Sequence, residues 1–148
     1  MSKLGPVLAL AITLLTGVTG YAADKVALSC SGTAHHVFWS LKGERNEENY
    51  PYHDSLTIDL DGRVVIWGSD TYPITEIERN LITFKGEVVD PRKGAPEVPP
   101  VTWNHYTLGV MDRITGDLSL SQNDKCEDLG LNHKTTFDLH CKPAKPLF

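Results

Sequence analysis

Ser55-Leu56-Thr57-Ile58-Asp59-Leu60, then Asp61-Gly62, then Arg63-Val64-Val65-Ile66-Trp67 places two runs rich in β-branched and apolar residues on either side of an Asp-Gly pair. Apolar and polar residues alternate through the first run, which is the period of a half-buried strand and not of a helix. An Asp-Gly pair between two such runs favours the positive φ values of a tight primed turn, so the stretch reads as a β-hairpin.

The same alternation extends in both directions. Tyr72 to Glu78 is β-rich, Arg79-Asn80 is turn-like, and Leu81 to Val88 returns as a second hairpin. Upstream, Lys25 to Ser31 reads as a strand broken at Gly32, Val37 to Leu41 as a short second one, and the polar run Lys42 to Asn49 as a solvated loop. Downstream, Pro91, Pro96, Pro99 and Pro100 make Asp90 to Pro100 a long exposed loop within the domain, because proline cannot donate to a sheet ladder. Trp103 to Ile114 forms a long strand, Thr115-Gly116 turns it, and Asp117 to Ser121 pairs back. Gln122 to Lys134 is polar and has room for a short helix, and Thr135 to Cys141 is the last strand. These segments predict an all-β chain, a small antiparallel β-barrel or sandwich of about seven to nine strands.

The chain opens with Lys3, an apolar run from Val7 to Leu15, and a small and polar stretch ending Gly20-Tyr21-Ala22-Ala23. That is the layout of a secretory signal peptide, expected to span residues 1–22 and to leave a single exported domain over 23–148. The apolar run falls short of the roughly 20 residues that cross a bilayer, so no stable membrane anchor is expected. A periplasmic or secreted location follows. Losing Lys3 with the leader leaves thirteen basic against nineteen acidic residues and no basic cluster, which excludes nucleic acid as a partner and leaves a protein or envelope component. Oligomeric state has no signature in the chain.

Three cysteines remain, Cys30, Cys126 and Cys141, and an oxidising compartment pairs two of them. Cys30 with Cys141 would tie the ends of the domain together; Cys126 with Cys141 is the alternative, closing a short loop around Asn132-His133-Lys134.

Met111-Asp112-Arg113-Ile114-Thr115-Gly116-Asp117-Leu118-Ser119-Leu120 and the ending Phe137-Asp138-Leu139-His140-Cys141 through Phe148, with Cys30 in an early strand, resemble a group of small uncharacterised exported bacterial β-rich proteins. That resemblance implies a β meander and export, and carries no activity. A looser one is to the periplasmic lysozyme inhibitors of the membrane-bound C-type class, small β-barrels that begin with a Cys-bearing strand and end near a second Cys. Their inhibitory loop pairs a Ser-Gly segment with a nearby Tyr; here Trp67-Gly68-Ser69-Asp70-Thr71-Tyr72 has the order reversed.

No catalytic signature is present: there is no Gly-x-Ser-x-Gly, no phosphate-cradling glycine loop and no dinucleotide fingerprint. Six histidines lack any HxH, HxxxH or HExxH spacing, and adjacent His35 and His36 point to opposite faces of a strand, so neither a metal nor another cofactor is expected. Cys126 with His133 or His140 and Asn132 would make a nucleophile set only if oxidation spared the thiol. Trp39, Trp67, Trp103 and Tyr106 are the candidate ligand face, since aromatic rings lining a small barrel hold apolar or carbohydrate ligands. The expectation is a non-enzymatic binding or interaction module of the cell envelope. An enzyme acting on envelope or extracellular substrates, and a lysozyme-inhibitor-like protein, are the alternatives.

Overall fold

The computed structural model describes residues 25–40, 42–92 and 100–144, and the predicted leader lies outside them. Eight strands follow one another: β1 (Lys25–Trp39), β2 (Arg45–Asp59), β3 (Val64–Trp67), β4 (Asp70–Glu78), β5 (Leu81–Arg92), β6 (Val101–Asp112), β7 (Asp117–Cys126) and β8 (Leu131–Pro143). Each pairs antiparallel with the next, and β1 pairs with β8, so the sheet is a closed up-and-down barrel. Closure removes both edges, which is why a chain of β-rich hairpins needs no helix to cover it.

The inward parity is continuous around the barrel. Leu28, Leu56, Val65, Ile82, Phe84, Met111, Leu118 and Leu139 point in and form an apolar core towards one end. At two places a ring lies over a cross-strand glycine. A Cβ on Gly109 would stand 2.1 Å from Cζ of Phe84, and one on Gly86 would stand 2.7 Å from Cδ1 of Tyr72. Bulky side chains thus fill the narrow lumen only because the facing residues have none.

Four expectations are corrected. β1 runs unbroken through Gly32, because β8 passes so close that a Cβ there would meet the Asp138 carbonyl oxygen at 2.1 Å. Most of the polar run 42–49 is strand: β2 starts at Arg45, and Glu47 faces solvent beside Arg45 and His35. The turn at Asp61-Gly62 is not a two-residue primed one. Asp59 accepts the Gly62 amide at 2.8 Å and the Lys25 ammonium at 3.0 Å, which opens a four-residue turn whose positive φ falls on Arg63. Finally, β7 and β8 occupy Gln122–Cys126 and Leu131–Lys134, so no helix forms there.

The wall has a notch. β3 is four residues long, and the β4–β5 ladder ends at the Ile74–Phe84 pair beside a register shift and Pro73. Above that level β2 and β5 stand without the β3–β4 hairpin between them. There β5 is an edge strand, and this is why it runs on through Pro91, paired with Thr102, where a ladder proline was not expected. Residues 93–99 of the proline-rich loop lie outside the described residues.

The cysteine pairing is Cys30 with Cys141, directly opposite one another in the seam between the first and last strands. Cys126 is free, buried, and points inward.

Candidate functional site

The notch opens on the inward faces of β4 to β7 and leads into a cavity of about 520 Å³. Asp70 and Tyr72 come from β4, Gly86 and Val88 from β5 with Glu87 beside them on its outer face, His105 and Thr107 from β6, and Gln122 and Asp124 from β7. Antiparallel register sets the pairs. His105 stands opposite Asp124 and Thr107 opposite Gln122. The His105 Nδ1 and Asp124 Oδ1 atoms are 2.8 Å apart, so the carboxylate fixes the ring's orientation.

Tyr72 is buried at the cavity floor, with its hydroxyl 3.5 Å from Asp70. Burial holds that hydroxyl above its ordinary pKa, with Thr107 and Gln122 acting against the shift and the Asp70 charge with it. It therefore stays a neutral group that both donates and accepts. On the β2–β3 side of the lumen, Asp54 accepts from Tyr52 at 2.9 Å and from the Trp67 indole at 2.6 Å.

Beside the cavity the lumen is filled by rings. His133 lies 4.6 Å from Phe38, 5.6 Å from Trp103 and 5.6 Å from His36 between centroids, and Trp103 stacks on His105. His36 Nδ1 is 2.9 Å from the Thr135 hydroxyl. Burial lowers the pKa of His133, the neighbouring His36 adds to the shift, and Asp124 opposes it. The unfolded chain thus binds a proton at His133 more readily, so the folded state loses stability as pH falls through about 6.5. Urea midpoints of the wild type and of His133→Phe between pH 8 and 5 check this: the wild type should weaken more steeply on acidification, and parallel curves would place the loss elsewhere.

No family model, characterised protein or solved structure matches this chain.

The four aromatic residues of the expected ligand face do not share one face. Trp67 and Trp103 point into the lumen, at different levels; Trp39 and Tyr106 stand on the outer wall, because residues 103 and 106 of one strand are an odd number apart. There they pair across to Asn132 and Asn123, whose side-chain oxygens are buried without a partner among the described residues. The nucleophile set is not assembled either. Cys126 and His133 point inward, Asn132 points outward, and His140 pairs with Asp117 outside the barrel at 3.0 Å. Among the described residues no group of three His, Cys, Asp or Glu side chains is placed to hold a metal ion.

The parts of an acid–base relay are split between two histidines. His105 has the orienting carboxylate, His36 has the hydroxyl, and among the described residues no hydrogen bond joins the two sets. Thr107, Gln122 and Asp124 carry no motif that marks them in the sequence. The segment Trp67 to Tyr72, in which the order of the inhibitors' Ser-Gly pair is reversed, runs from the end of β3 through the β3–β4 turn into β4, and its Asp70, Thr71 and Tyr72 line the cavity.

Proposed function

We propose that the protein is an exported, non-enzymatic binding module of the cell envelope that takes its ligand in the notch. The observation that carries this is the charge of the cavity: the inward Asp70 and Asp124 line it, Glu87 flanks it from the outer face of β5, and no lysine or arginine is among its lining residues. Such a field favours a cation and repels an anion. The neutral Tyr72 hydroxyl, the Thr107 hydroxyl and the Gln122 amide add acceptors for a donor-rich group. The ligand chemistry is therefore an amine or guanidinium, either free or carried by a basic partner protein. Export is supported by the leader expected over residues 1–22 and by the disulfide, since such bonds persist outside reducing compartments.

An NMR titration of labelled protein purified from its own host tests the reading, with argininamide, an arginine-rich peptide, N-acetylglutamate and glucose as probes. Argininamide or the peptide should move the amides of Tyr72, His105 and Gln122, more weakly at high salt. The acidic probe and the sugar should leave them in place, and the Asp70→Asn variant should weaken the cationic probes about two- to fivefold. A stronger response to the peptide would identify a protein partner, and equal response per cation a small amine. Shifts with glucose alone, or with no probe, would overturn the assignment.

A further inference from the structure

The opposite end of the barrel has the reverse chemistry. A cavity of about 450 Å³ opens where β1 begins and β8 ends, and its walls include the inward side chains of Leu28, Ile58, Ile82 and Met111. Its rim carries Arg113 and Lys142, and no aspartate or glutamate lines it. On a chain of net charge −5, the charged side chains lining this cavity are nevertheless all basic.

One side of the rim is firmly built. The turn Arg113–Gly116 leans on β8 through the Cys141 amide, which donates to the Gly116 carbonyl at 2.8 Å. A Cβ on Gly116 would lie 2.4 Å from the Cys141 carbonyl oxygen, so the turn cannot be bulkier there. From that turn Ile114 projects over the opening, 81% exposed. The Arg113 guanidinium donates to the Arg79 carbonyl, and neither it nor Lys142 makes an ion pair with any described carboxylate. His140, also at the rim, is held by Asp117.

An apolar cavity with cations at its mouth matches a molecule with an alkyl chain and one negative end. We infer that this end of the barrel is a second binding site, and that its ligand is a free fatty acid whose carboxylate meets Arg113 and Lys142 while its chain enters among Leu28, Ile58, Ile82 and Met111. The inference is independent of the notch: different strand ends and opposite charge carry it.

The test is a titration of methyl-labelled protein, purified from its own host, with octanoate, decanoate and dodecanoate below their micellar concentrations. Dodecanol and dodecyltrimethylammonium serve as controls. Affinity should rise about fourfold per added methylene until the cavity is filled. The methyls of Ile82 and Met111 should shift, and dodecanol and the cationic amphiphile should bind more weakly than dodecanoate. Lys142→Gln, on an exposed and unpaired side chain, should weaken dodecanoate about two- to fivefold and leave dodecanol unchanged; Arg113→Gln should do the same unless loss of its Arg79 contact disturbs the turn, which is why Lys142 is the deciding variant. Equal binding of the cationic amphiphile, or unmoved Ile82 and Met111 methyls with every chain length, would overturn the site. So would a variant ending at Ala144 that binds where the full chain does not, since residues 145–148 would then be the occupant.

Discussion

Reduction of the Cys30–Cys141 bond is expected to lower the unfolding free energy by about 4 to 5 kcal/mol. The bond spans 111 residues, nearly the whole domain, and in the chain-entropy account a loop of that length restricts the unfolded ensemble by that amount. For a domain of this size the loss corresponds to a fall in Tm of roughly 15 °C. The bond's position adds a second reason. β1 and β8 are the chain's two ends, and their pairing from Leu28–Pro143 to Trp39–Asn132 is the contact of highest sequence separation in the barrel. Every other seam joins strands that are consecutive in the chain; this one has only its ladder and the disulfide. Urea unfolding of oxidised and reduced protein, and of Cys30→Ala/Cys141→Ala, measures the difference. The reduced chain should also show a larger dependence on urea, because its unfolded state is more expanded. A loss below about 1 kcal/mol with unchanged slope would mean that the ladder alone fixes the seam. Cys126 is buried and takes no part in the bond, so Cys126→Ala should leave the oxidised–reduced difference intact.

The all-β class and the hairpin succession were legible because period-2 alternation and turn residues are local signals. The choice between barrel and sandwich was not, because it rests on β1 meeting β8, which no stretch of sequence near either one specifies. The misread elements share a cause. Read locally, Gly32 is a breaker, Asp61-Gly62 the whole turn and Pro91 outside any strand; in each case a partner distant in sequence, or a side chain acting on the backbone, decides otherwise.

The site was nearly within reach. With Arg113–Gly116 as a four-residue turn, β6 and β7 pair His105 with Asp124. With the two-residue turn Thr115-Gly116 that the sequence suggested, the same counting places His105 opposite Cys126, and the carboxylate–imidazole pair disappears. What counting could not supply is the notch. It arises from a four-residue β3 and a ladder that parts beside Pro73, and it turns inward polar residues that would otherwise be enclosed into a lined cavity. The two ends of the lumen therefore differ in charge and polarity although one alternating pattern runs through both.

Phe84→Ala is expected to cost about 3 to 5 kcal/mol, the range for deleting a fully buried ring. Its ring occupies the space a side chain at position 109 would need, so Gly109→Ala should by itself cost about 1 to 3 kcal/mol through overpacking. Together the two should not add. Gly109 lies mid-strand in a conformation open to any residue, and with the ring gone an alanine there meets no obstacle and replaces the residue most costly to order in a strand. In the Phe84→Ala background, Gly109→Ala should therefore be neutral or stabilising, giving a coupling of about 1 to 3 kcal/mol in a double-mutant cycle read by urea unfolding. An equal cost in both backgrounds would mean that the backbone, and not the ring, requires glycine. The cycle also bears on the cavity. The Phe84 ring lies 6.0 Å from that of Tyr72, which itself covers Gly86, so the floor of the notch stands on the apolar core. Phe84→Ala should accordingly weaken binding of cationic probes in the notch, whereas Gly109→Ala, which leaves Phe84 in place, should act mainly on stability.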